Sequence, residues 1–335
     1  MNQLPPRLPH GDPLPCPALM LSGGGKLGDY HIGVVRTLLA EGLLPRIISG
    51  ASAGAFVGAI AATRTDDELK QLFSGNVTDL SADGCAGIFA AIAVALSQTG
   101  LRNYVAGVIP DWTLEEARRH SGRCLNVVVA DAGSRGGGVV LNADTEPHVL
   151  IRDAVVASCA IPMVYPPTPI HQRLPDGSSR PYANGRLWMD GSIHADLPSA
   201  WLRDHYGADQ LIASIVTPYE LPFLMDPDHH HTHVHGAASI AMDAMRAFWS
   251  TALDATHAVA RYGPDRGRTV ALWKRLIDQR IDADVIIAPG HRFQYLANLT
   301  ERPTLAQLTS FIGEGDAATR AKLNRLRQHV ASAPS

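Results

Sequence analysis

Three short stretches hold residue types that could do chemistry together. The first is Gly50-Ala51-Ser52-Ala53-Gly54, a GxSxG pentapeptide between the apolar run Arg46–Ser49 and the Ala/Ile/Val-rich run Ala55–Thr63. A serine at a strand-to-helix turn of this kind can act as a nucleophile, because the turn lifts its hydroxyl clear of the sheet. Gly50 and Gly54 remove the Cβ clashes that so tight a turn would otherwise create. The helix N-terminus beneath it favours developing negative charge. The same pentapeptide would also suit a tightly packed βα turn with no chemical role. The second stretch is Ser22-Gly23-Gly24-Gly25-Lys26-Leu27-Gly28. Acyl transfer needs amide N–H donors where a tetrahedral oxyanion forms, and consecutive glycines let the backbone approach it closely. A phosphate cradle and a plain helix-start turn are the competing readings. The stretch lacks the Walker pattern, and although Gly23, Gly25 and Gly28 satisfy GxGxxG, no acidic residue follows the next strand at the required distance. The third stretch is Trp188-Met189-Asp190-Gly191-Ser192. A carboxylate within reach of a serine can serve as its base without a histidine. An ordinary Asp-Gly turn would read the same way.

The elements that must position these groups follow an alternating rhythm. Ala18–Ser22 reads as a buried strand, Asp29–Gly42 as a helix with apolar residues at Ile32, Val35, Leu38 and Leu39, Arg46–Ser49 as a second strand and Ala55–Thr63 as a second helix. Strand, Gly-turn, helix, repeated, is the pattern of a parallel sheet with crossover helices. Leu125–Ala130, Gly138–Leu141, Leu211–Val216 and Asp284–Ile287 are further strands, and Ile151–Cys159 and Ser199–His205 further helices. The tail from Thr304 to Val330 is amphipathic, broken only by Gly313 and Gly315, and predicts one or two closing helices. A Pro-rich leader over residues 1–17 precedes a single domain over residues 18–330.

Composition narrows the function classes. Of 335 residues 46% are hydrophobic and 18% charged, as in a globular chain with a large core. A net charge of −3 gives no electrostatic footing for nucleic acid. No apolar run reaches the length of a membrane span, and the first twenty residues lack the apolar segment of a signal peptide. Cys16, Cys85, Cys124 and Cys159 show neither zinc-ligand nor disulfide-framework spacing, which points to a reducing, cytoplasmic compartment.

The chain resembles the patatin-like phospholipase family, and within it the branch of eukaryotic storage-lipid triacylglycerol lipases. The resemblance runs from about Ala18 to Arg325 through ordered blocks: LSGGGKLGDYHIGVV, GASAG, ASCAIPMVYPP (Ala157–Pro167), MDGSIHADLP (Met189–Pro198) and IVTPYELPFL (Ile215–Leu224). It implies a three-layer α/β fold with a mostly parallel central sheet and helices on both faces. It further implies a Ser–Asp dyad, with Ser52 the nucleophile and Asp190 the base, and an oxyanion hole drawn from the amides of Gly23, Gly24, Gly25 and Ala53. Gly28, Gly50, Gly54 and Gly191 are the motif glycines. The expected substrate is a fatty acyl ester of a glycerolipid, with transient contact at a membrane or lipid surface, no nucleic acid, and no metal or organic cofactor. A phospholipase A or lysophospholipase, and a catalytically idle lipid-binding module, are the alternatives. The sequence departs from the family where Leu27 holds the usual basic position and Asp196 replaces a frequent Asn.

Three further features bear on that reading. His229, His230, His231, His233 and His235 read as an irregular loop rather than a metal site, since consecutive histidines rarely converge on one tetrahedral centre. The apolar stretch from Gly84 to Pro110 reads as buried helices, with a membrane-facing lid as the alternative. Cys159 reads as a small buried residue. The rival mechanism is a Ser–His–Asp triad, in which His257, His291 or His329 would supply the base late in the chain.

Overall fold

The computed structural model describes residues 16–74, 98–133, 137–161, 165–192, 196–217, 281–290 and 305–331. In chain order these form β1 (Pro17–Leu21), a 3₁₀ turn (Gly25–Gly28), α1 (Asp29–Ala40), β2 (Ile47–Gly50), α2 (Ala53–Ala62), α3 (Asp66–Ser74), α4 (Gln98–Val108) and α5 (Leu114–Ser121). Next come β3 (Cys124–Asp131), β4 (Gly138–Leu141), α6 (Ile151–Ser158), β5 (Thr168–Pro169), β6 (His171–Arg173), β7 (Ser179–Pro181) and β8 (Leu187–Asp190). The remainder is α7 (Ser199–Tyr206), β9 (Gln210–Ser214), β10 (Val285–Ile287), α8 (Leu305–Ala321) and α9 (Leu323–Ala331).

The main sheet has the order β10-β9-β1-β2-β3-β8-β5, with β4 also paired to β3. Strands β10, β9, β1, β2 and β3 are mutually parallel, whereas β4 and β8 run antiparallel to β3 and β5 runs antiparallel to β8. The expected mostly parallel α/β sheet is therefore present. Its central strands are buried along nearly their whole length, which is why they read as continuous apolar runs rather than alternating ones.

Helices cover both faces. Gly58 of α2 lies against Ile48 and Leu125, while Asn126, one residue on and so pointing to the other face, accepts a hydrogen bond from Tyr206 of α7 at 3.0 Å. All ten residues of α2 are buried, which explains a helix made almost entirely of small and apolar residues. The closing helix α8 packs on α1: the Arg36 guanidinium pairs with Asp316, and the Thr37 hydroxyl donates to the same carboxylate at 2.8 Å. Gly313 and Gly315 do not interrupt α8, which runs to Ala321; Gly315 instead provides the close approach of α8 to the Tyr30 backbone. Helices α3 and α5 add to the expected set.

The register brings the ends of two strands together. Parallel β2 ends at Gly50, opposite Val127 of β3, and its chain then heads toward Val129. Antiparallel β8 ends at Asp190, opposite Val129, and its chain then heads toward Val127. The turns that follow Gly50 and Asp190 thus run toward each other over two residues of β3.

Candidate active site

Ser52 occupies the turn after β2 with φ 53° and ψ −121°, a left-handed conformation that a residue with a Cβ adopts only under constraint from its surroundings. Three contacts supply that constraint. The Ser52 N–H donates to Ser158 Oγ at 2.9 Å, and the Ser158 hydroxyl donates in turn to the Val128 carbonyl at 2.7 Å. Ser52 O accepts the Phe56 N–H at 3.2 Å, which starts α2. A Cβ on Gly54 would overlap the carbonyls of Leu21 and Ser22, so only glycine lets the first turn of α2 press against β1. Gly50 faces the Gly54 backbone from the opposite side of the same turn. The Ser52 side chain makes no capping bond to α2, which leaves its hydroxyl for other partners.

Those partners are Asp190 and Cys159. The Ser52 hydroxyl lies near enough to the Asp190 carboxylate and to the Cys159 thiol to lower the proton affinity of both. Asp190 is 2% exposed. Burial pushes its pKa up from 3.8 to about 6, and the N–H and hydroxyl of Ser192 and the Ser52 hydroxyl offset only part of that rise. The Ser192 N–H donates to Asp190 Oδ1 at 2.9 Å, and the Asp190 N–H donates to the Ala160 carbonyl at 3.0 Å. Gly191 sits directly on the β3 backbone at Val128 and Val129. Cys159 is a small buried residue, as its sequence context suggests, and it lies close to the site. Its thiol is buried beside the hydroxyl and the carboxylate, and burial drives its pKa far upward, which keeps it protonated and neutral.

The glycine-rich turn lies alongside. A Cβ on Gly23 would come within 3.5 Å of Ser52 Cβ and 3.3 Å of Ser192 Cβ. The Gly23 N–H donates to Asp196 Oδ1 at 2.6 Å. That corrects the sequence expectation for this residue, since an N–H already given to a buried carboxylate is not free for an oxyanion. Gly24 is extended, Gly25 has φ 54°, and Gly28 closes the 3₁₀ turn and precedes α1. Among the described residues no acceptor is found for the N–H groups of Gly24, Gly25 or Ala53.

His31 supports this turn from beneath. It is fully buried, and its Nε2 is 3.0 Å from the Ser22 carbonyl while its Nδ1 is 2.7 Å from Ser214 Oγ. A carbonyl can only accept, so Nε2 carries the proton and Nδ1 accepts from Ser214. Burial lowers the His31 pKa to about 4, so the ring is neutral and structural. Of the three late histidines, His257 and His291 lie outside the described residues and His329 falls in α9. The His229–His235 cluster also lies outside them. Among the described residues no group of three His, Cys, Asp or Glu side chains is placed to hold a metal, and no helix is long and apolar enough to cross a membrane.

The sequence model of the patatin-like phospholipase family matches residues 19–200, more than half of the chain, including the glycine turn, the GxSxG turn and the Asp190-Gly191 turn. The chain belongs to the patatin-like phospholipase family. Triacylglycerol lipase ptl3 of Schizosaccharomyces pombe is 31% identical over 332 residues, covering 94% of this chain and 67% of that protein. A patatin-like phospholipase domain-containing protein of Coccidioides immitis is 31% identical over 321 residues, covering 91% of this chain and 44% of its own length. Triacylglycerol lipase SDP1L of Arabidopsis thaliana is 34% identical over 226 residues, 62% of this chain and 28% of that one. The chain thus spans from under a third to about two thirds of these patatin-like relatives.

Proposed function

We propose that this chain hydrolyses fatty acyl esters of glycerolipids through a Ser52–Asp190 dyad. The observation that carries the reading is the strained Ser52 beside a buried carboxylate whose proton affinity burial raises and the Ser52 hydroxyl partly lowers. A base with a pKa of about 6 accepts the serine proton more readily than a solvated carboxylate would. As Ser52 Oγ attacks the ester carbonyl, its proton passes to Asp190. The carbonyl oxygen takes the negative charge, facing the N–H groups of Gly24, Gly25 and Ala53 at the start of α2. Asp190 then returns the proton to the departing glycerol oxygen, leaving Ser52 acylated. Water repeats the sequence on the acyl-enzyme, releases the fatty acid and restores the hydroxyl. Two of the relatives are named triacylglycerol lipases, which favours a neutral glycerolipid as substrate.

A panel of purified lipids tests this: triacylglycerol emulsion, phosphatidylcholine vesicles and lysophosphatidylcholine, each with wild type and Ser52→Ala. Fatty acid release from triacylglycerol that vanishes in Ser52→Ala supports the proposal. Release only from the phospholipids would move the assignment to a phospholipase A or lysophospholipase. No release from any of them, with lipid binding retained, would leave an idle lipid-binding module.

A further inference from the structure

We infer that Asp196 is a positioning residue that aims the oxyanion donors, and that it works together with Thr217. The inference rests on the Ser52–Asp190 reading and adds to it a group that touches neither substrate nor reacting atoms. Asp196 is 1% exposed and Thr217 2%. A carboxylate so deeply buried is costly unless its oxygens are bonded, and here both are. Oδ1 accepts the Gly23 N–H at 2.6 Å and Oδ2 accepts the Thr217 hydroxyl at 2.7 Å. The Gly23 carbonyl is held as well, by the Ser22 hydroxyl at 2.8 Å and by the Thr217 hydroxyl, whose single proton is shared between Asp196 Oδ2 and this carbonyl at 3.0 Å. Ser22 Oγ is itself fixed by the Val216 N–H at 2.9 Å.

The consequence follows from the planarity of the peptide. The carbonyl of Gly23 and the N–H of Gly24 belong to one trans peptide unit and point in opposite directions. Holding the Gly23 carbonyl against Ser22 and Thr217 therefore turns the Gly24 N–H away from them. In the next peptide the Gly24 carbonyl accepts the Leu27 N–H at 3.1 Å, which directs the Gly25 N–H outward in the same way. Glycine has no side chain to set these planes, so neighbours must do it. Asp196 fixes the first peptide of the turn and Thr217 links that anchor to the second. The hydroxyl and carboxylate also explain why the Gly23 N–H is spent on structure.

An amide satisfies the same geometry. In Asp196→Asn the side-chain oxygen still accepts the Gly23 N–H, and its NH₂ donates to Thr217 Oγ, whose proton turns to the Gly23 carbonyl. In Asp196→Ala both anchors vanish. Steady-state kinetics with a soluble p-nitrophenyl ester separate positioning from general damage. Misaimed donors should lower kcat by about 10²-fold in Asp196→Ala, with KM changed by no more than about threefold, whereas Asp196→Asn recovers to within about tenfold of wild type. Thr217→Val should lower kcat by about tenfold and Thr217→Ser restore it. The threonine pair and Asp196→Asn decide the matter should Asp196→Ala fail to fold. Asp196→Ala with kcat near wild type overturns the inference, as does Asp196→Asn no better than Ala, which would make the charge rather than the geometry the active element. Labelling each variant with a fluorophosphonate separates this from the dyad. Label on Ser52 with unaltered kinetics removes the Asp196 role alone, while label elsewhere removes both.

Discussion

Asp190→Asn separates the basicity of the buried carboxylate from its shape, and at neutral pH it should make the protein much less active and more stable at once. In the folded chain the Asp190 pKa is about 6, against 3.8 for the solvated side chain. Between these values the native state binds a proton that the unfolded state does not. Stability therefore falls as pH rises from about 4 to about 6 and stays lowered above that. With Asp190 2% exposed, a shift of this size corresponds to about 3 kcal/mol of native-state destabilisation when the group is ionised. Asparagine keeps an oxygen for the Ser192 N–H and carries no charge to desolvate. At about pH 8 the variant should then melt several degrees above wild type, and at about pH 4 the two should melt together. Activity should move the other way. Wild-type kcat/KM should drop about tenfold per unit below pH 6 as the base is protonated, and Asp190→Asn should lose about 10²-fold or more at neutral pH with no such acid limb. Calorimetry at both pH values and a pH–rate profile on a soluble ester measure these effects. An Asn variant that keeps the acid limb, or melts below wild type at the higher pH, would refute the reasoning.

Three other changes probe the turn that holds Ser52. Ser52→Gly and Ser52→Ala should both be inactive, yet the glycine variant should be the more stable by about 1–3 kcal/mol, since only alanine retains a Cβ at φ 53°; equal denaturation midpoints would show the turn to be unstrained. Ser158→Ala leaves the buried Ser52 N–H without its acceptor, a loss of about 1–3 kcal/mol in urea unfolding, and should lower ester turnover about tenfold or more. Unchanged turnover would free the nucleophile from that bond. Gly54→Ala should cost about 1–3 kcal/mol or more, because the added methyl has the Leu21 and Ser22 carbonyls in its way; an unchanged thermal midpoint would mean the turn opens easily.

The fold was legible where local pattern and burial agree. Strands β1, β2, β3 and β9 are buried on both faces, so they stand out as apolar runs with glycine turns after the first two. Helices α3 and α5 were missed although each opens with a Thr-x-x-Glu capping pattern, Thr65 with Glu68 and Thr113 with Glu116, whose reciprocal bonds the structure contains. Their sequences, DDELKQLFS and LEEARRHS, are mostly polar, with few apolar residues to show a period. At the site, Ser52 and Asp190 could be named from their blocks, but their approach depends on the opposed directions of β2 and β8 along β3, which no spacing encodes. Ser158, Asp196 and Thr217 lay inside quoted blocks without a visible role. Their contacts span from 21 to 194 positions of sequence, and only the packed sheet brings them together. The engaged N–H of Gly23 was likewise beyond reach, since a run of three glycines does not say which amide faces a carboxylate.

The central claim is that Ser52 is a nucleophile activated by Asp190, and covalent trapping tests it most directly. A fluorophosphonate ester reacts with an activated serine to leave a stable phosphonate on the attacking oxygen, and digestion followed by mass spectrometry locates it. A single adduct is expected on the peptide that contains Ser52, forming about 10²-fold more slowly in Asp190→Asn and not at all in Ser52→Ala. An adduct on another serine, or labelling of Ser52 at an undiminished rate in Asp190→Asn, would contradict it.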